Sequence, residues 1–234
     1  MFSKSKILKL QTISYRNDDS LFLDFNSTTT ITDESTLGGN NSWTVIPSGV
    51  VSDVIDTVTT KSGSGSLTGI NSKAIKHALT SSLSLGTGDF TFQCWFYPRS
   101  NQPAMSNGYV PIFGGQNYTN GILFYRPTGY AVANALHWYP LGLYSTVGLN
   151  IDTWNHIRLV RQSAKTSCFI NGTNVSNIVG GLTDTQNLTT LWSAGFHILR
   201  EPSSSRYCNG LVDCFQLFNY SLGTSNFTPS SYKN

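Results

Sequence analysis

The amino-acid sequence predicts an all-β protein, a sandwich or barrel of many short strands. Three observations predict it. Apolar residues recur with a period of two in almost every hydrophobic stretch. Gly, Asn, Ser and Pro punctuate those stretches at short intervals. Of the 234 residues, 30 are Ser, 26 Thr and 20 Asn, while charged residues make up 12%, against about 25% in an average soluble domain. Ser, Thr and Asn compete with the helical backbone for hydrogen bonds, and Thr and the aromatics fit pleated sheet. Disorder is excluded, because 39% hydrophobic and 12% aromatic residues supply a core.

Residues 1–19 read as an extended arm ahead of one domain over 20–234, since no composition break divides the remainder. Lys4, Lys6 and Lys9 make the arm basic, and Ile7, Leu8 and Leu10 give it apolar contacts for docking on a neighbouring subunit. The first strand is Leu21-Leu23-Phe25, alternating with Phe22, Asp24 and Asn26. Gly38-Gly39-Asn40-Asn41 and Ser62-Gly63-Ser64-Gly65 are turns. Residues 71–82 are the best helix candidate and fit a strand equally; we favour the strand. After the Gly86–Asp89 turn, Phe90-Phe92-Cys94-Phe96 alternates with Thr91, Gln93, Trp95 and Tyr97. Asn107-Gly108, Asn120-Gly121 and Asn209-Gly210 mark further turns. Ile157-Leu159 alternates with Arg158, Val160 and Arg161, and Asn171-Gly172 is the cleanest two-residue hairpin signal in the chain. In the last strand Leu211, Asp213, Phe215 and Leu217 alternate with Val212, Cys214, Gln216 and Phe218.

Several function classes drop out at this level. A net charge of +3 without basic runs gives no nucleic-acid footprint. No apolar run approaches the ~20 residues of a membrane span. The start has a basic beginning, but neither an uninterrupted apolar segment of about 7–15 residues nor a small-residue cleavage site, so no export signal is expected. Cys94, Cys168, Cys208 and Cys214 form no CxxC pair, and no His stands at zinc-finger spacing. Cys208 and Cys214 fall six apart on one face of one predicted strand, roughly 20 Å from each other, too far to pair. Four reduced, buried thiols are expected.

Four segments in order carry a family resemblance: SLFLDFN (Ser20–Asn26), LGTGDFTFQCWFYP (Leu85–Pro98), DTWNHIRLVRQSAKTSCFINGTNV (Asp152–Val175) and NGLVDCFQLFNYSLGTSNFTP (Asn209–Pro229). Together they resemble the laminin-G-like, concanavalin A-like jelly-roll superfamily, in particular the branch found in virion and tail proteins of tailed phages and in bacterial surface proteins. The ending SNFTP (Ser225–Pro229) is similar to that of phage-associated members. The resemblance implies an antiparallel two-sheet jelly-roll sandwich of about 12–14 strands. Trp95, Trp154 and Phe215 are then large anchors joining the sheets. His156 is expected as a hydrogen-bonded structural residue, and Asp213, inside an apolar run, must cap backbone groups or bind a cation.

Glycosidases on this fold use two or more carboxylates on one strand, spaced about 5–9.5 Å apart according to mechanism. The close acidic pairs here, Asp18-Asp19 and Asp33-Glu34, are sequence neighbours, which on a strand face opposite ways. There is no GxSxG elbow and no HExxH, so no catalysis is expected. Calcium is common in the superfamily; Asp89 and Asp213 are its candidate ligands here, and no other cofactor is expected. For sugars, the segment from Tyr109 to Tyr144 is rich in aromatics and amides: Tyr118, Asn120, Tyr125, Tyr130, His137, Trp138, Tyr139 and Tyr144. Sugar faces would stack on the rings while amides bond hydroxyls, although Trp138 and Tyr139 point to opposite faces of one strand. The resulting expectation is a non-enzymatic virion structural protein of a tailed phage, a capsid decoration or small tail or fibre component adhering to polysaccharide. Its partners are other virion subunits, itself as a homo-oligomer, and host surface polysaccharide, with no nucleic acid and no membrane. Its place is the virion, assembled in the host cytoplasm. The alternatives are a free carbohydrate-binding lectin and, disfavoured, a glycoside hydrolase.

Overall fold

A computed structural model of the chain describes residues 20–33, 43–69, 72–77, 85–102, 108–115, 122–126, 132–139, 141–193, 195–201 and 206–230. The arm at 1–19, with Ile7, Leu8 and Leu10, lies outside the described residues. The strands in chain order are β1 (Ser20–Asp24), β2 (Thr32–Asp33), β3 (Trp43–Ile46), β4 (Ile55–Asp56), β5 (Ser66–Thr68), β6 (Ala74–His77), β7 (Phe90–Pro98), β8 (Val110–Gly114) and β9 (Ile122–Arg126). They continue with β10 (Ala135–Tyr139), β11 (Leu143–Gly148), β12 (Asn155–Gln162), β13 (Lys165–Ile170), β14 (Thr173–Asn174), β15 (Leu182–Thr183), β16 (Phe196–Ile198) and β17 (Gly210–Phe218). The described residues thus form 17 strands, more than expected because β2, β4, β14 and β15 are two-residue pieces at the margins. A 3₁₀ turn, Val51–Val54, and one short helix, α1 (Leu188–Leu191), are the helical elements described.

The strands make an antiparallel sandwich. The first sheet has ten strands along β14-β13-β12-β7-β17-β1-β2, with β15, β5 and β4 attached; the second has seven, β11-β10-β9-β8-β16-β6-β3. The period of two read from β7 is real: Phe90, Phe92, Cys94 and Phe96 face the core, and Thr91, Gln93, Trp95 and Tyr97 face away. The sheets meet ring against ring. Phe92 stacks on Phe113 of β8 with centroids 3.6 Å apart, and Phe215 reaches Phe113 at 6.2 Å and Phe196 at 5.6 Å. Phe215 is therefore an inter-sheet anchor. Trp95 and Trp154 are not: Trp95 lies on the outer face of the first sheet under the Lys61 ammonium, 3.9 Å from the ring centre, and Trp154 packs edge-on against Tyr97 of that face at 5.5 Å. Trp138 and Trp192 hold the core position instead, both fully buried.

The strict alternation expected in β17 fails at one place. Cys214 sits at φ 50° in a bulge between Asp213 and Gln216. One extra residue reverses the facing of everything after it. Val212 faces inward before the bulge, and Phe215 and Leu217 face inward after it. Cys208 precedes β17, so it does not share a strand with Cys214; all four cysteines are free and buried. The Asn171-Gly172 hairpin is present, at φ 51° and 82°, between β13 and β14.

The outer face of the first sheet is closed by the chain after β17. Thr91 Oγ1 donates to the Tyr220 carbonyl (3.0 Å) and accepts from Leu222 N (2.9 Å). Phe227 N donates to Gly172 O (2.9 Å), and its ring lies 3.4 Å below the Arg158 guanidinium and 5.4 Å from His156. An added Cβ at Gly172 would fall 1.9 Å from Phe227 O, so glycine serves both the hairpin and this approach. Beneath the strap Arg158 Nε donates to Gln93 Oε1 (2.8 Å), and Gln93 Nε2 to Gln216 Oε1 (2.6 Å).

At the inner margin of the sandwich lies a buried ion pair. Arg161 and Asp184 are both fully buried with Nη1 and Oδ1 3.5 Å apart. Arg161 donates from Nε to Gly88 O, from Nη1 to Gln186 O and from Nη2 to Gly86 O at 2.7–3.0 Å. Asp184 accepts from Thr166 Oγ1 (2.8 Å), Gln186 N (3.0 Å) and Trp138 Nε1 (3.3 Å). Removing one partner of such a pair strands a charge in the interior. Asp184→Ala should lower the unfolding free energy by about 3–5 kcal/mol, read from urea midpoints; a midpoint equal to that of the wild type would contradict this role.

Candidate functional site

With the outer face of the first sheet closed, the outer face of the second sheet is the broad surface left to consider. Leu136 and Trp138 of β10 face the core, so His137 and Tyr139 face outward. Tyr109, just ahead of β8, turns its ring onto the same face. Tyr109, His137 and Tyr139 form a triangle with centroid separations of 5.5, 6.0 and 5.8 Å. Tyr144 of β11 stands directly opposite His137 in the strand register, and its backbone N donates to Asn177 Oδ1 (3.0 Å). His137 is buried among these groups, whereas Tyr109, Tyr139 and Tyr144 remain half-buried.

This places the expected sugar-binding residues. His137, Tyr139 and Tyr144 share one face. Trp138 does not belong to it: its ring lies in the core 6.3 Å from Phe90 and 6.1 Å from Phe113, with Nε1 on Asp184. Tyr125 also points inward, against Phe96 at 6.0 Å, and burial pushes its phenol well up. Tyr118, Asn120 and Tyr130 lie outside the described residues. Tyr109 joins the cluster although it stood only at the margin of the predicted segment; the Asn107-Gly108 turn before it was the available signal.

The two calcium candidates are far apart and already occupied. Asp213 is fully buried and paired with Trp95 in the strand register, six residues along β7 from Asp89, a separation of roughly 20 Å. One ion cannot take both. Asp213 Oδ2 accepts from Lys61 N (3.0 Å), Ser62 N (2.9 Å) and Ser66 Oγ (3.0 Å), and Oδ1 from Cys214 N (2.8 Å). Its role is backbone capping: it fixes the 61–62 turn and the bulge. Burial raises its pKa, and those hydrogen bonds pull it back. Asp89 Oδ1 accepts from Ser163 N (2.8 Å), tying its turn to the β12–β13 turn. Among the described residues no group of three or more His, Cys, Asp or Glu could hold a metal ion.

The other described carboxylates are engaged likewise. Asp53 pairs with Lys73 (2.6 Å), Asp56 with Arg99 (2.8 Å) and Glu201 with Arg206 (2.7 Å), while Asp152 accepts from Ser100 N (3.0 Å).

Residues 71–226, from β6 through β17, match the concanavalin A-like lectin/glucanases superfamily. The chain belongs to this family. No curated protein matches it. Among solved structures, domain 4 of an extracellular arabinanase from Geobacillus stearothermophilus, in complex with arabinotriose, aligns with a TM-score of 0.58 and 15% identity, over 88% of this chain and 93% of that one. The binding domain of Paraclostridial mosquitocidal protein 1 aligns at 0.56 and 15%, over 88% and 50%. The binding domain of botulinum neurotoxin DC, in complex with SialylT, aligns at 0.56 and 14%, over 88% and 49%. The chain thus spans about half the length of these two toxin domains. At such identities the likeness establishes the lectin-like fold.

Two histidines of this superfamily member are buried without charge. His197 of β16 is on the same outer face as the tyrosine cluster; burial, then Lys76, push its pKa down to about 3, with Arg200 adding to this and the Gly114 and Gly115 backbone opposing it. His156, on the other sheet between Trp95 and Phe227, is also pushed down to about 3 by burial, then by Arg158 and Lys61. Unfolded, both titrate near 6.5. Between about 6.5 and 3 the unfolded chain binds the extra protons, so stability is full above this window and falls as pH drops through it. Each histidine contributes at most about 1.4 kcal/mol per pH unit. Urea unfolding should therefore show a loss of up to about 4 kcal/mol between pH values near 7.5 and 5. The slope should shrink in His156→Gln and His197→Gln; a flat profile in the wild type would contradict the burial of neutral rings.

Proposed function

We propose that this chain is a non-enzymatic carbohydrate-binding sandwich displayed on the particle of a tailed phage, as a capsid decoration or a small tail or fibre component. The observation that carries the binding half is the set of half-buried rings of Tyr109, Tyr139 and Tyr144 gathered on one face of the second sheet. Aromatic rings with a polar tip suit sugars, which offer an apolar C–H face and a rim of hydroxyls. The engagement of the described carboxylates by Arg, Lys and backbone donors supports a binding role over hydrolysis, which needs a free acid and a free base. The particle half rests on the resemblance of the four sequence segments, SNFTP (Ser225–Pro229) included, to virion-associated members of the superfamily.

The halves are tested separately. In glycan-array and calorimetric binding, Tyr139→Ala and Tyr144→Ala should each weaken binding about tenfold or more with little change in unfolding midpoint. No binding to any glycan would remove the carbohydrate role. A reducing-sugar assay on the bound polysaccharide should show no release. Mass spectrometry of purified particles should find the chain in many copies, and its absence from particles would remove the display role, leaving a free lectin.

A further inference from the structure

We infer that the tyrosine-bearing face binds an uncharged polysaccharide and does so without a metal ion. The inference rests on the carbohydrate-binding reading above and narrows it. Residues 101–150 span β8 to β11 with all their connections, and within them Arg126 is the single charged residue. At the chain's overall 12% charge, fifty residues would carry about six. The span contains no Asp and no Glu.

The missing carboxylates bear on metal first. A hard cation that bridges protein to sugar hydroxyls needs several oxygen ligands, carboxylates among them. These four strands supply none. Of the described carboxylates that flank the span in sequence, Asp152 accepts from Ser100 N, Asp89 accepts from Ser163 N, and Asp184 is fully buried on Arg161 and Trp138. Stacking and neutral hydrogen bonds remain as the means of recognition. The half-buried tyrosine rings and the exposed Thr146, whose Oγ1 donates to Val175 O and keeps its acceptor side, carry the groups for both.

Charge bears on the ligand next. Selecting a polyanion such as a uronate chain takes clustered cations, commonly arginine forks that meet carboxylates in pairs. Arg126, the one arginine of these four strands, stands at the β9 end in register with Ala135. The next cation on this sheet, Lys76, is four strands away along β10-β9-β8-β16-β6, roughly 19 Å. His197, between them, is held neutral by burial. A single positive charge produces little steering, and salt screens it beyond about 10 Å. Tyrosine rings, in contrast, gain from the C–H faces that neutral glycans present along their length.

The test uses the full chain on immobilised neutral polysaccharides (arabinan, xylan, mannan, dextran, β-glucan) and acidic ones (polygalacturonate, alginate, hyaluronate). Each is measured with calcium, with EDTA, and across about 0.05–0.5 M NaCl. The expected result is binding to one or more neutral polymers that changes less than about twofold with EDTA or salt and falls about tenfold in Tyr139→Ala. Binding confined to acidic polymers, or abolished by EDTA, overturns the inference while leaving the carbohydrate role standing. No binding to either set overturns both.

Discussion

The buried contact between Arg161 and Asp184 is the interaction on which the arrangement of the sandwich depends. It sits where three connections converge. Arg161 projects inward from β12 and holds the Gly86–Gly88 turn that leads into β7. Asp184 holds β13 through Thr166 and begins the segment leading to α1. Through Trp138 it reaches across to the second sheet. A fully buried arginine is tolerable because the Nε and both terminal nitrogens have oxygen partners, three of them backbone carbonyls at the rim. Burial lowers the Arg161 pKa and the Asp184 charge raises it again, so the ion pair keeps the guanidinium charged in a dry place.

The same contact orients the surface to which function is assigned. Once Trp138 is anchored inward on Asp184, the two-residue period of β10 sends His137 and Tyr139 outward, and the register with β11 places Tyr144 beside them. Core and binding face are thus coupled by one strand. A tryptophan exposed on that face in place of the tyrosine would carry more stacking area but would leave the core without one of its two fully buried tryptophans.

Much of this was legible in the sequence, and the gaps have physical causes. β7, β12 and the Asn171-Gly172 hairpin are local patterns, and local patterns survive folding. The alternation of Trp138 and Tyr139 was equally plain, but which of the two faced the core was decided by an aspartate 46 residues away, a pairing no window along the chain contains. The last strand misled for a different reason: a bulge at Cys214 changes phase without any glycine to announce it, because Asp213 accepts the Cys214 amide and steadies the turn. The strap at 219–230 has no period at all. Its hold on the sheet is a set of individual hydrogen bonds and two rings, Tyr220 against Phe218 and Phe227 against Arg158, which in the sequence look like any other aromatics in a loop.

The strap also decides which sheet can serve a ligand. Under it lies a surface rich in the groups that recognise sugars: Trp95, His156, Arg158, Gln93 and Gln216. Exposed, that set would make the first sheet the stronger candidate. It is not exposed. Arg158, Gln93 and Gln216 satisfy one another in sequence, Trp95 donates to Ser230 O and lies under Lys61, and Phe227 fills the space beside His156. A ligand would have to displace a segment that holds hydrogen bonds at Thr91, Gly172 and Asn174 together with the buried area of an aromatic ring. Among the described residues no such segment is bonded over the tyrosines of the second sheet. Its half-buried tyrosines already face solvent, and the surface chemistry left to a chain so short of charge, stacking plus neutral hydrogen bonds, is what that face provides.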